Sequence, residues 1–246
     1  MVINVHGGHN RIVPGASGYL DEVTEDRAVT AQVIAKLRAL GHTVYDCTDD
    51  SGRTQGQNLA NIVHACNAHA ADLDVSIHLN SGGGTGTEVL VYSDTGTAAG
   101  YAVKICAAIS DELGYRNRGM KERKNLYVLR RTTAPALLVE CCFVDSAADA
   151  QRFDADKMAA AIVRGITGQT AAQTGAAPAQ QTGYHVRITA SVLNVRRDHS
   201  ASSAVATQVR RGEVYTIVAE YNNGGTMWGK LKSGAGWIAL NYTQSV

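Results

Sequence analysis

The residue pattern predicts an α/β fold, an N-terminal mixed, largely parallel sheet flanked by helices, followed by a small all-β barrel. Three observations carry that expectation. Apolar strand-like runs alternate with stretches of helical period from the first residue to about residue 168, the signature of parallel strands joined by helices. Residues 169–182 then hold no charge and no large apolar side chain, too little to offset chain entropy, which reads as a flexible linker. Residues 183–246 return to short apolar runs broken by Gly-containing turns, the pattern of a small β module.

Each element follows from its local pattern. Residues 2–5 form a strand that opens into a loop holding His6, Gly7, Gly8 and His9. Between residues 22 and 40, Val29, Val33, Ile34, Leu37 and Leu40 recur at helical spacing, with Thr24 as N-cap and Gly41 as stop. A strand over 42–47 and a helix over 57–70 precede the apolar strand 73–79. Strand 87–92 and helix 98–113 follow, then two strands at 126–129 and 136–144 and a helix over 156–166. In the β module Val186, Ile188 and Ala190 alternate with polar residues, as do Val214, Thr216 and Val218.

Composition narrows the function classes. The net charge of the 246 residues is +1. Residues 1–168 carry 16 basic against 19 acidic side chains, and residues 183–246 carry 7 against 3. A basic C-terminal module suits an anionic polymer weakly, but no basic run supports nucleic acid. The five cysteines include no C-x-x-C pair, consistent with reduced thiols made in a cytoplasm. The opening residues read as a strand, not a signal peptide, and no apolar run is long enough for membrane insertion.

His78 stands out chemically. It is a polar intruder at the carboxyl end of an apolar strand, just before Ser81-Gly-Gly-Gly84, where sites assemble in open α/β sheets. Glu140 lies in another apolar strand, where a bare carboxylate is costly. His6 and His9 flank the first loop, and Glu22 opens the first helix. Two imidazoles and a carboxylate with a fourth position open form a catalytic zinc set, with a separate carboxylate to take a proton. The H-E-x-x-H signature is absent, so such ligands must converge from separate segments, and either His6 or His9 could serve. His42, His64 and His69 lack a converging carboxylate, and His185 and His199, in the β module, have no ligand spacing. Cys141 and Cys142 read as small buried residues.

Residues 1 to about 167 resemble the zinc-dependent N-acetylmuramoyl-L-alanine amidases (type 3), particularly the catalytic domains of phage endolysins. The resemblance rests on ordered blocks: Gly8-His9 with Pro14-Gly-Ala16 and Glu22; Leu40-Gly-His-Thr-Val44; Ser76-Ile-His-Leu-Asn80 with Gly86-Thr-Glu-Val89; Asn117-Arg-Gly-Met-Lys121; Leu126-Tyr-Val-Leu129; and Pro135-Ala-Leu-Leu-Val-Glu140. It implies that His9, Glu22 and His78 bind zinc, that Glu140 is the catalytic carboxylate, and that Asn80 contacts substrate or supports the site. The family's D-P-G-H-G opening is replaced here by Asn4-Val-His-Gly-Gly-His9, and the family's step from ligand to Gly15 selects His9 over His6. Residues 184 to 242 resemble bacterial SH3-like (SH3b) domains through Ala190-Ser-Val-Leu-Asn-Val-Arg196, Val209-Arg-Arg-Gly212 and Gly236-Trp-Ile238, which makes Trp228, Trp237 and Tyr242 wall-binding candidates. The resemblance implies a hydrolase of Gram-positive peptidoglycan, made in a host cytoplasm and acting on the wall after release. A zinc endopeptidase and a non-catalytic wall-binding protein are the alternatives.

Overall fold

The computed structural model describes residues 1–169, 184–197, 199–201, 203–223 and 226–246. The chain divides into two compact units, Met1–Thr174 and Gly175–Val246. The expected linker, apart from Gln169, lies outside the described residues.

The N-terminal unit is built on β1 (Val2–Gly7), β2 (Thr43–Asp46), β3 (Leu73–Asn80), β4 (Thr87–Val91), β5 (Asn117–Glu122) and β6 (Ala136–Phe143). Their spatial order is β2-β1-β3-β6-β4-β5. The pairs β1–β2, β1–β3, β3–β6 and β4–β5 are parallel, and only β4–β6 is antiparallel. The sheet is therefore mixed and largely parallel. Helices α1 (Glu22–Ala39), α3 (Thr97–Leu113) and α6 (Ala155–Thr167) cover one face. There Val29, Leu37, Ile105, Ile109, Met158 and Ile162 are fully buried against Leu137 and Val139 of β6. Side chains alternate along a strand, so Leu138 turns to the other face. It joins Leu90 there with Ile62 and Cys66 of α2 (Gln55–Asn67) and Val128 and Leu129 of α4 (Tyr127–Arg131).

Several local expectations need correction. Residues 126–129 are not a strand: Tyr127 opens the short helix α4, and the Thr132 amide and hydroxyl both donate to the Val128 carbonyl at its end. A brief apolar run carries too little period to separate helix from strand. The N-cap of α1 is Asp21 rather than Thr24; its Oδ1 accepts from the Thr24 amide at 2.9 Å and the Thr24 hydroxyl at 2.7 Å. Helix α2 begins at Gln55, capped by Thr54, and β1 continues through His6. Strand β5 and helix α5 (Ala147–Arg152) are too polar for periodicity to reveal.

The C-terminal unit is an antiparallel sheet of β7 (Tyr184–Ile188), β8 (Val192–Arg196), β9 (Val205–Arg210), β10 (Val214–Asn223), β11 (Thr226–Leu231), β12 (Trp237–Ala239) and β13 (Thr243–Ser245), in the order β13-β7-β10-β11-β12-β8-β9. Its core includes Val186, Ile188, Val195, Ile217 and Ile238. The expected inward phase of β10 is shifted by one residue. Tyr215, opposite the buried Val186, packs on the core, and Ile217 is fully buried while Val214 is exposed. Cross-strand partners share a face, so β7 sets the parity of β10. Among the described residues, no helix is long and apolar enough to cross a membrane, and all five cysteines are buried and free.

Candidate metal centre

Three segments meet at the carboxyl end of β3. His78 stands on that strand, Glu22 is the first residue of α1, and His9 lies in the loop between β1 and α1. Asp21 caps α1 immediately before Glu22, which fixes where that carboxylate enters. Glu22 Oε1 lies 3.0 Å from His78 Nδ1 and 3.7 Å from His9 Nε2. The two imidazoles meet edge to face, with centroids 5.2 Å apart. One ligand atom from each residue lies within 4.8 Å of the other two. Glu22 is steadied by the amides of Ala16 (2.8 Å to Oε2) and Leu79 (3.2 Å to Oε1).

Two glycines make room for this convergence. A Cβ on Gly8 would come within 1.8 Å of the His78 ring, and one on Gly15 within 2.1 Å of the Glu22 carboxylate. The loop itself is held from behind. Asp26 accepts the Gly8 amide at 3.1 Å, and Arg27 bridges the His9 carbonyl, Asp26 and Asp50. Neither Asp26 nor Arg27 has a sequence signal beyond its place on the first turns of α1.

The electrostatics are those of a coupled cluster. Burial opposes charge on His78, but the hydrogen bond to Glu22 and the charges of Glu140 and Glu22 outweigh it and raise its pKa. Burial pushes Glu22 up, and the His78 hydrogen bond and charge more than reverse this. His9 is lowered by burial and by the neighbouring His78. His6 is elsewhere: it is buried in β1 with Nδ1 against the Gly7 carbonyl at 3.2 Å and near the Ser76 hydroxyl, and burial lowers its pKa to about 4. Thus His9, not His6, stands with Glu22 and His78.

Glu140 is the register partner of His78 on the adjacent strand β6. Its Oε2 is buried with no hydrogen-bond partner in the structure. Burial raises its pKa to about 7, against the pull of His78 and with repulsion from Glu22 and Glu88. A cavity of about 240 Å³ opens beside these groups, lined by His9, His78, Glu140, Asn58, Leu59 and Tyr127 among others. Asn80 is turned to protein: its amide donates to Glu88 Oε1 at 3.2 Å and its carbonyl accepts from the Ser81 amide at 2.8 Å. Glu88 was not singled out in the sequence, although a carboxylate within an apolar strand is the same signal that marks Glu140. Two imidazole nitrogens and a carboxylate oxygen this close suit a divalent ion of borderline softness, and an unpartnered carboxylate beside them suits proton transfer.

The three aromatic candidates of the C-terminal unit separate. Trp228, 4% exposed, and Tyr242, 49% exposed, line a groove of about 470 Å³ with Asn194 and Arg196. Trp237 is not part of that lining. Its ring lies 5.1 Å from that of His199, with the Lys230 ammonium 5.8 Å from its centroid.

Residues 1–168 match the protein family described as N-acetylmuramoyl-L-alanine amidase. An uncharacterized protein of Clostridium perfringens is 37% identical over 154 residues, 61% of this chain and 45% of that protein; the chain thus spans less than half of that relative's length. A sporulation-specific N-acetylmuramoyl-L-alanine amidase of Bacillus subtilis is 31% identical over 209 residues, 83% of this chain and 80% of the relative. Among solved structures, the catalytic domain of an endolysin targeting Clostridia difficile superposes with a TM-score of 0.64 at 26% identity, covering 69% of this chain and 98% of that domain. The family match spans residues 1–168, and the chain belongs to the N-acetylmuramoyl-L-alanine amidase family.

Proposed function

We propose that this protein is a zinc-dependent peptidoglycan hydrolase that cleaves the amide between N-acetylmuramic acid and the L-alanine of the stem peptide. The observation that carries the reading is the meeting of His9, Glu22 and His78 within 4.8 Å beside the unpartnered Glu140. His9, Glu22 and His78 hold the ion. An ion held by these three residues would supply Lewis acidity and lower the pKa of a water at the site. Glu140 takes the water's proton and returns it to the departing L-alanine amine. Its place one strand from His78, with a buried oxygen that has no protein hydrogen-bond partner, leaves that carboxylate available to the water. Leu59, Leu126 and Tyr127 give the cavity an apolar wall for the alanyl and lactyl methyl groups. Asn80 acts through Glu88 rather than on substrate directly.

The C-terminal unit serves in this reading as an SH3-like module that binds the Gram-positive wall, with Trp228 and Tyr242 in its groove. Catalytic domain 1–168, linker 169–182 and wall-binding domain 183–246 then act as a tethered pair, and the tether raises enzyme concentration at the wall. The likeness to an endolysin catalytic domain supports a phage or prophage lysin, made in the host cytoplasm and active on the wall after release.

Digestion of purified peptidoglycan with and without a chelator, with mass spectrometric identification of the new ends, tests the reading. The expected ends are a free lactyl carboxylate and a free L-alanine amine, lost on chelation and restored by zinc. Ends within the stem peptide would make the enzyme an endopeptidase. Zinc bound without any new ends would leave a wall-binding protein.

A further inference from the structure

The block Asn117-Arg-Gly-Met-Lys121 has no role in the chemistry above, yet it makes up most of β5, the edge strand beside β4. A row of charged groups runs across the sheet toward it. His78 on β3 pairs with Glu140 on β6, and Glu140 pairs with Glu88 on β4. Glu88 is buried, and both Arg118 and Lys121 of β5 bond its carboxylate, Arg118 Nε at 2.7 Å to Oε2 and the Lys121 ammonium to the same oxygen.

That two cations of β5 reach one carboxylate depends on a bulge. Residues three apart in a regular strand point to opposite faces. Here Thr87 lies opposite Asn117 but Val89 lies opposite Met120, so β5 holds one extra residue. Gly119 absorbs it at φ +75°, its amide donating to Asn117 Oδ1 at 2.8 Å. The insertion restores parity and turns Arg118 and Lys121 to the same face, the one that carries Glu88 and Glu140. A bulge re-aims side chains in this way and is over-represented beside active sites.

The charge does not cancel. Two cations face one carboxylate, and their hydrogen-bond donors exceed what that carboxylate can accept along with the Asn80 amide. Both cations remain partly exposed, 26% for Arg118 and 31% for Lys121. A ligand anion therefore finds donors already oriented by the buried Glu88, and Arg118 is further seated over the Phe143 ring at 4.9 Å.

We propose that Arg118 and Lys121 form a subsite for a carboxylate of the stem peptide, on the leaving side of the cleaved amide. This rests on the amidase reading above. The glycan side offers no such group, because the lactyl carboxyl is itself consumed in the scissile amide, whereas the stem peptide is acidic. Strand β5 lies two strand spacings from Glu140, about 10 Å. An extended peptide covers that in roughly two to three residues. The first carboxylate beyond the cut, on the second residue of the stem, falls within reach of the two side chains.

The test uses the full chain with zinc and two muramoyl tripeptides that differ only in whether the D-glutamyl α-carboxyl is free or amidated. The wild type is expected to show a KM for the free acid lower by about three- to tenfold, with similar kcat, and the preference should shrink as salt rises. Lys121→Met should erase the preference by raising KM for the free acid alone, and Lys121→Arg should restore it. The subsite is overturned if the wild type treats both substrates alike, or if Lys121→Met slows both equally. Cleavage of the amidated substrate at the muramoyl–alanine bond separates the two questions, since it upholds the amidase reading whatever the KM ratio. If neither substrate is cut there, both readings fall.

Discussion

In the N-terminal unit, polar side chains from three distant segments meet within 4.8 Å; in the C-terminal unit, three aromatic residues that look alike in sequence part company. The difference lies in what fixes each side chain. His78, Glu22 and Glu140 sit at ends or registers of regular elements, so sheet order and a helix cap deliver them to one place. In the β unit Trp237 lies opposite Lys230, two residues along β11 from Trp228, so the two rings share a face of the sheet and are separated by their place along the strands. Polar convergence is set by topology, whereas in the small β unit position along a shared face parts the aromatic rings.

Four measurements sharpen or break that contrast. The largest effect is expected at Glu140: Glu140→Gln should lower turnover by about 10²–10⁴-fold while zinc content stays at one ion per chain. Full activity in that variant would remove Glu140 from the chemistry. The two first-loop histidines should diverge in a zinc competition assay. His9→Ala should abolish tight binding, whereas His6→Ala should bind zinc nearly as wild type and lose stability instead, since His6 is buried away from the cluster.

In the β unit, Trp228→Ala should cost about 3–5 kcal/mol, enough to abolish the second transition in a calorimetric scan, because so small a unit has little stability in reserve. Tyr242→Ala should leave that transition intact and weaken sedimentation with purified walls by roughly fivefold. A larger loss of wall binding from Trp237→Ala than from Tyr242→Ala would show that the groove is not the contact.

The fourth measurement concerns pH. Asp74 is buried on β3 and burial raises its pKa to about 6, although Asn4 donates to it at 2.7 Å. A carboxyl whose folded pKa exceeds its unfolded value of 3.8 adds stability below about pH 4 and loses that contribution as pH rises through about 6. Asp74→Asn should therefore be more stable than wild type at pH 7, by up to about 3 kcal/mol, and the gain should vanish near pH 4. Urea unfolding of both proteins from pH 4 to 8 measures the difference; a gain that persists at pH 4 would assign it to packing rather than charge.

Much of this protein is legible in its residues. The alternation of apolar runs gives the α/β order, the apolar strand around His78 gives one wall of the site, and a carboxylate in a core strand marks Glu140 as unusual before any contact is known. Glu88 carries the same mark and lies within the block Gly86-Thr-Glu-Val89, but its pairing with two cations of β5 depends on contacts that no local pattern shows. Strand β5 escaped because its stability comes from pairing along β4, not from an apolar face of its own. The short helix α4 escaped because four apolar residues in a row fit either period.

The sequence by itself determined the longer strands and helices and several of the residue types at their ends, because period, caps and glycines act over a few neighbours. It also carried His9 apart from His6 once the step to Gly15 was compared with a known pattern. Only the tertiary structure decided that His9, Glu22 and His78 share one space, that Arg118 and Lys121 turn to one carboxylate across a bulge, and that Trp237 leaves the groove of Trp228. Those facts depend on sheet order and register, which arise from pairings between residues far apart in the chain.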